Sequence, residues 1–298
     1  MHSSHTRAIL QALLVTFLWA TSWVLIKFGL RQSLPALTFA GLRYTLAFVC
    51  LLPLLLASPL QRQALGRLPL AGWGQLAALG VVYYTLTQGA QFAGLAVLPA
   101  ATLSLLLNLT PLLVAALSGW ANYEPPASAQ WAGIGLTTLG AAVYFLPLQP
   151  AAGQGYGLAV GLFAVAVNAA SALFGRRVNA HSGLPPLAVT TVSMGAGSLL
   201  LLAGGLALQG AGALGPQQWL IIAWMALVNT AFAFTLWNHT LRTLTAVEST
   251  IINSTMMPQI AILAWLFLDE TLSARQIAGL LRVGAGVLAV QAGGRKHA

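Results

Sequence analysis

The chain has 298 residues, of which 6% are charged and 58% apolar, whereas a soluble domain needs roughly a quarter charged residues to cover its surface. Lipid is therefore the solvent for most of it, in keeping with a strongly positive mean hydropathy. The net charge of +9 does not point to nucleic acid, because the cations are scattered and sit at the ends of apolar runs, where membrane topology places them.

A helix needs about 20 mostly apolar residues to span a bilayer. Ten runs qualify, at approximately 8–28, 36–57, 71–94, 99–120, 128–147, 157–178, 186–208, 217–241, 245–268 and 274–292. The first follows a short polar tail carrying Arg7, runs too long for a signal-peptide core, and leads into Lys27 and Arg31 without a small-residue cleavage site. It reads as a retained helix. Turn formers separate the later runs, among them Leu34-Pro35, Ser58-Pro59, Glu124-Pro125-Pro126, Pro185-Pro186 and the Asp269-Glu270 corner. The period-two polarity of a barrel strand is missing. The expected fold is an all-α membrane protein with ten transmembrane helices. Cys50, the single cysteine, lies inside an apolar run, so no intrachain disulfide is possible.

The ten runs form two copies. Glu124-x5-Gln130-x2-Gly133-x6-Gly140 returns 146 residues later as Glu270-x5-Gln276-x2-Gly279-x6-Gly286, each time after one apolar run and at the head of the next. The expected units are 1–150, holding helices one to five, and 151–298, holding helices six to ten. Five crossings are an odd number, so the second unit enters the membrane inverted. Such inverted repeats place a binding site near the bilayer midplane, between the halves. With the N-terminus inside, the cytoplasmic side holds Arg7, Arg62, Arg67, Arg176, Arg177, Arg242, Arg295 and Lys296, against Lys27, Arg31 and Arg275 opposite. That bias puts both termini in the cytoplasm. Lys27 corresponds to Arg176, and eight residues before each come Trp19 and Asn168. Pro111 and Pro258 interrupt helices four and nine at nearly equivalent points, as hinges or as static bends.

This pattern resembles the drug/metabolite transporter superfamily, in its ten-helix branch with two EamA-type halves. The resemblance rests on the paired Glu-x5-Gln-x2-Gly segments, on Trp19-Ala20-Thr21-Ser22, on Pro35 with Arg43, and on the stretch from Ala246 through Pro258 to Glu270. It covers essentially the whole chain. It implies a bacterial inner-membrane protein that exports amino acids, related metabolites or toxic analogues. Two departures stand out: Arg43 has no counterpart in the second half, and Asn168 replaces the family's usual aromatic.

Four acids are present. Glu124, Asp269 and Glu270 fall at helix ends, where carboxylates cap. Glu248 lies about one turn inside helix nine, near His239 and Arg242. These three form either a gate or proton relay at the cytoplasmic mouth, or a structural Arg242–Glu248 pair with His239 beside it. Arg43 lies about 10 Å down helix two at 1.5 Å per residue, and Arg282 at a similar depth in helix ten. Arg43 meets either a substrate carboxylate or nearby carbonyls and headgroups. Tyr84, Gln88 and Gln91 form a polar stripe on helix three, at i, i+4 and i+7. Asn229 and Trp237 on helix eight, Trp19 and Trp23 on helix one, Asn168 and Ser171 on helix six, and Asn253 and Thr255 on helix nine complete a candidate cavity lining. The competing role for such groups is glue between helices. The glycines Gly133, Gly140, Gly279, Gly286 and the Gly157-xxx-Gly161 pair permit close helix approach.

The expected function is a secondary transporter, by alternating access, for amino acids or other zwitterionic or neutral solutes. Its partners are a small-molecule substrate and the lipid bilayer. Monomer and homodimer both stay open, and neither metal nor cofactor is expected. A drug exporter is the near alternative; an acid in mid-helix one, which lipophilic cations would call for, does not occur in 8–28. An intramembrane enzyme is the distant one, and the sparse His, Asp and Glu supply neither three metal ligands at one depth nor a paired nucleophile and base. A channel would not account for inverted duplication.

Overall fold

The computed structural model describes residues 2–31, 34–98, 100–120, 128–145, 155–267 and, in pieces, 274–286. Regular structure among the described residues is helical throughout. The first, second, sixth and seventh spans are the helices His2–Arg31, Ala36–Ala57, Gly155–His181 and Pro186–Gln209. Pro35 and Pro185 occupy the N-cap positions of the second and seventh spans. Proline costs little there, because its missing N–H would have no intrahelical partner.

The third and eighth spans share an unusual construction. Each opens as an α-helix (Leu70–Gly80; Pro216–Ala226), widens to a π-helix (Val81–Gln88; Leu227–Phe232) and closes as an α-helix (Gly89–Val97; Ala233–Thr240). The two π segments begin 146 residues apart, the same offset as the sequence repeat. The fourth and ninth spans are broken, into Ala100–Leu107 and Thr110–Trp120, and into Ala246–Ser254 and Met256–Phe267. Each break falls just before a proline, Pro111 or Pro258, whose ring removes a backbone donor. Polar side chains close the ends of the leading halves: Asn108 Nδ2 donates to the Ser104 carbonyl at 2.8 Å, and Thr255 Oγ1 to that of Ile252 at 2.6 Å. Unwound backbone at membrane depth needs such partners.

Among the described residues, six helices are long and apolar enough to cross a membrane by length and composition. The third and fourth spans match the eighth and ninth in construction. The fifth is the helix Ser128–Phe145, and the tenth is represented by a shorter apolar helix over Ile277–Gly286. Leu70, Leu208 and Leu220 face outward while Arg43, Asn229 and Asn238 are buried, the arrangement lipid solvation produces. Trp73 and Trp219, again 146 residues apart, lie exposed near the starts of the third and eighth spans, as interfacial anchors do. One stretch differs from its reading as a simple turn. After Ser58 the short helix Pro59–Gly66 forms, with Arg62 on its exposed side.

The packing repeats with the halves exchanged. The first span packs on the eighth and ninth, and the sixth on the third and fourth. The second and seventh spans meet over the largest contact, where Gly41 lies against the Leu202 backbone and Gly205 against that of Thr38. Gly80 and Gly197 bring the third and seventh spans equally close. The repeated segment meets itself as well: a methyl group on Gly286 would collide with Thr137 and the Gly133 carbonyl. Close approach at these small residues gives dispersion contacts that lipid cannot replace. Glu124, Asp269, Glu270 and Gln276 lie outside the described residues.

Candidate functional site

A cavity of about 1030 Å³, including its opening, lies between the halves. Both contribute to its wall. Trp19 and Trp23 come from the first span, Arg43 and Tyr44 from the second, Gln88 and Gln91 from the third, Asn168 from the sixth, and Phe234 and Trp237 from the eighth.

Phe234 organises the aromatic floor. Its ring lies 4.8 Å from Trp19, 5.6 Å from Tyr44, 5.3 Å from Tyr83 and 5.2 Å from Tyr84, centroid to centroid. Trp237 stands 5.0 Å from Trp19. These tilted and edge-on pairs fix ring positions beyond simple area burial. Gln88 is held by Tyr44, whose hydroxyl donates to Gln88 Oε1 at 2.5 Å.

The π segment in the eighth span explains how Arg43 and Trp19 are aimed. A widened turn leaves carbonyls without their usual intrahelical donor, and the Asn229 carbonyl serves two outside donors. Trp19 Nε1 reaches it at 3.1 Å and an Arg43 Nη at 3.2 Å. Arg43 Nε donates to Thr230 Oγ1 at 2.7 Å, and the guanidinium lies 5.1 Å over the Tyr44 ring. Arg43 is 2% exposed, yet among the described residues no carboxylate lies within salt-bridge distance of it. A buried cation held by neutral acceptors keeps a strong field for an anionic group entering the cavity.

Three residues expected on the cavity wall are elsewhere. Tyr84 is buried against Tyr44 and Phe234, and its neighbour Tyr83 lines the cavity instead. Asn229 turns its amide to the first span, donating to the Leu18 carbonyl and, at 2.9 Å, to Thr21 Oγ1. Tyr84 and Asn229 share a cause: each lies in a π segment, whose extra residue per turn shifts the i, i+4, i+7 register. Thr255 also points away, 3.2 Å from the Thr16 hydroxyl.

The cluster around Glu248 is rearranged too. Glu248 is buried at 4% exposure and completes a capping box with Thr245, accepting from its N–H at 2.9 Å while Thr245 Oγ1 accepts from the Glu248 N–H at 3.1 Å. Its other oxygen faces His5 Nε2 of the first span at 3.2 Å. Arg242 and His239 are exposed, and among the described residues neither forms an ion pair with Glu248. The Arg242–Glu248 pair, one of the two readings of this cluster, is thus replaced by a contact with His5. Arg282 is exposed and donates to the Ala278 carbonyl of its own helix at 3.0 Å.

The sequence reading missed Tyr44, Tyr83, Phe92 and Phe234, which look like ordinary packing residues. It also missed Ser104, Asn108 and Thr110, which line the cavity beside the break in the fourth span. The repeat gave no direct signal, since its offset of 146 pairs Asn253 with Leu107 and Asn108 with Ser254. Among the described residues there is no group of three His, Cys, Asp or Glu that could hold a metal.

A solved crystal structure shares this fold with a TM-score of 0.77 over 98% of both chains, at 17% identity. No curated protein matches the sequence. The model of the EamA-like transporter family matches it twice, over residues 6–146 and 155–291, one copy for each half of the helix arrangement. Members of that family are transporters and not enzymes. The protein is a multi-pass membrane protein that belongs to the EamA-like transporter family.

Proposed function

We propose that the protein is a secondary transporter that carries amino acids or closely related zwitterionic solutes outward across a bacterial inner membrane by alternating access. The observation that carries this reading is the chemistry of the cavity wall. It combines one buried guanidinium, Arg43, with amide side chains from both halves and an aromatic floor, and among the described residues it contains no carboxylate. A carboxylate-bearing solute gains a charge-assisted contact there. A lipophilic cation gains none, which sets the drug-export alternative behind. In this reading the halves divide near residues 150 and 151, the second is inverted, and both termini are cytoplasmic, as the cation bias indicates. The π segments and the proline breaks sit in the spans that border the cavity, where local rearrangement would alter access.

A growth screen tests the proposal. Cells expressing the protein are challenged with toxic amino acids, amino-acid analogues and unrelated toxic metabolites. Resistance confined to α-amino acids and their analogues supports the reading. Resistance to none of them, with the protein present in the membrane, overturns it.

A further inference from the structure

The breaks in the fourth and ninth spans face each other. Thr110–Trp120 packs on Ala246–Ser254, and Ala100–Leu107 on Met256–Phe267. Asn108, Thr110 and Asn253 line the cavity at this level, one side from each half of the protein. Asn108 and Thr110 are 6% and 4% exposed. Asn108 Oδ1, Thr110 Oγ1 and Asn253 Oδ1 are all buried without a hydrogen-bond partner among the described residues. The amide nitrogen of Asn108 is anchored on the Ser104 carbonyl, which fixes the direction of its oxygen.

Buried acceptors cost free energy until a donor reaches them, and three of them belong to residues that line one cavity, an uncommon concentration. The helix ends at the breaks do not decide what binds. A C-terminal end of one half-helix and an N-terminal end of the next meet at each break, so their partial charges oppose. The orphaned oxygens decide it, and oxygen acceptors in a site shielded from water select a donor-rich cation. A primary ammonium offers three N–H donors. Arg43, the cavity's guanidinium, lies on the second span, away from both breaks.

We propose that the paired breaks form the ammonium subsite of the carrier, with Asn108 and Asn253 as its principal acceptors and Thr110 in support, so that the substrate is bound by both poles. This rests on the zwitterion reading above and adds the residues that recognise its positive end. The aromatic floor then receives an apolar side chain, which makes aliphatic α-amino acids the substrate class.

The test uses the purified full-length protein and labelled leucine, displaced by leucine, by 4-methylpentanoate (which lacks the ammonium) or by 3-methylbutylamine (which lacks the carboxylate). Wild type is expected to bind 4-methylpentanoate about tenfold or more weakly than leucine. Asn108→Leu and Asn253→Leu, each checked by melting curve for an intact fold, should lower leucine affinity about tenfold and bring the two ligands toward equal affinity. Asn108→Asp keeps the acceptor and adds charge, so it should tighten 3-methylbutylamine about tenfold. A wild-type preference that survives both leucine variants overturns the subsite, as does an aspartate variant that gains nothing for the amine. Protection of the protein by sodium ions alone, with no ammonium preference, also overturns it. Absence of any leucine binding to wild type removes the zwitterion reading itself, and the subsite with it.

Discussion

Lys27 and Arg176 make the same contact in the two halves of the chain. Lys27 Nζ, near the end of the first span, donates to the carbonyls of Leu95 at 2.9 Å and Leu98 at 3.3 Å, the last turn of the third span. Arg176 Nη1, near the end of the sixth, donates to the Leu241 carbonyl at 2.7 Å, at the end of the eighth. Leu95 and Leu241 both line the cavity and are separated by the 146-residue repeat offset. A cation at a helix C-terminus satisfies carbonyls that have no intrahelical donor. The two contacts are matched through the repeat; with the proposed inversion of the second half, each would latch one mouth of the cavity.

Breaking one latch should bias access toward its own mouth. In a Cys50→Ala background carrying Ile26→Cys, Lys27→Met is expected to raise labelling by a membrane-impermeant maleimide about fivefold or more, since a charge-assisted hydrogen bond contributes roughly 1–2 kcal/mol. Arg176→Met should leave labelling at that mouth unchanged or lower it. Equal labelling in all three backgrounds would show that the latches do not govern access.

Arg43 holds two acceptors of the eighth span at once, through Nε and an Nη. Lysine supplies a point charge without the planar fork. Both Arg43→Lys and Arg43→Met should lose more than about tenfold in substrate affinity, with Arg43→Lys not restored to wild type. Arg43→Met should remain folded, because it removes a buried cation instead of stranding one. Competition binding and melting curves together check this; full affinity in Arg43→Lys would contradict the role of the fork.

Asn229 separates stability from binding. Its carbonyl orients Trp19 and Arg43, whereas its amide fastens the eighth span to the first. Asn229→Ala keeps the carbonyl and loses the amide, so binding per folded molecule should stay within about twofold. Thermal stability should drop by the equivalent of about 1–2 kcal/mol, at the modest values found for hydrogen bonds inside membranes. A binding loss comparable to that of Arg43→Met would place the amide in the site after all.

Glu248 acts first as a cap. Glu248→Gln preserves an acceptor for the Thr245 N–H and removes the carboxylate that His5 Nε2 contacts, so transport should stay within about twofold of wild type. Glu248→Ala loses the cap, at a cost of about 0.5–2 kcal/mol. His5→Ala should resemble the glutamine variant. A transport-dead but stable Glu248→Gln protein, with its pH dependence abolished, would instead make Glu248 part of a proton relay.

The helices and the repeat were legible because hydropathy and punctuation are local. Pro35, Pro185 and the paired Glu-x5-Gln-x2-Gly segments mark their elements without tertiary help. Tyr84 and Asn229 were misplaced because a π turn differs from an α turn by one residue in hydrogen-bond register, a difference that apolar spacing does not record. The pairing of His5 with Glu248 joins residues 243 apart in sequence, and only packing of the first span on the ninth reveals it. The prolines marked the breaks in spans four and nine, but Asn108 and Thr110 became site residues only once the two breaks were seen to meet. Phe234 looked like filler in an apolar run; its four aromatic neighbours make it the floor of the cavity.

Counterflow in proteoliposomes tests the central claim most directly. Vesicles preloaded with unlabelled leucine should take up labelled leucine in a saturable manner, faster than empty vesicles, and Arg43→Met should abolish the difference. An ohmic ion current, or uptake indifferent to the preloaded solute, would contradict a carrier with a single cavity between its halves.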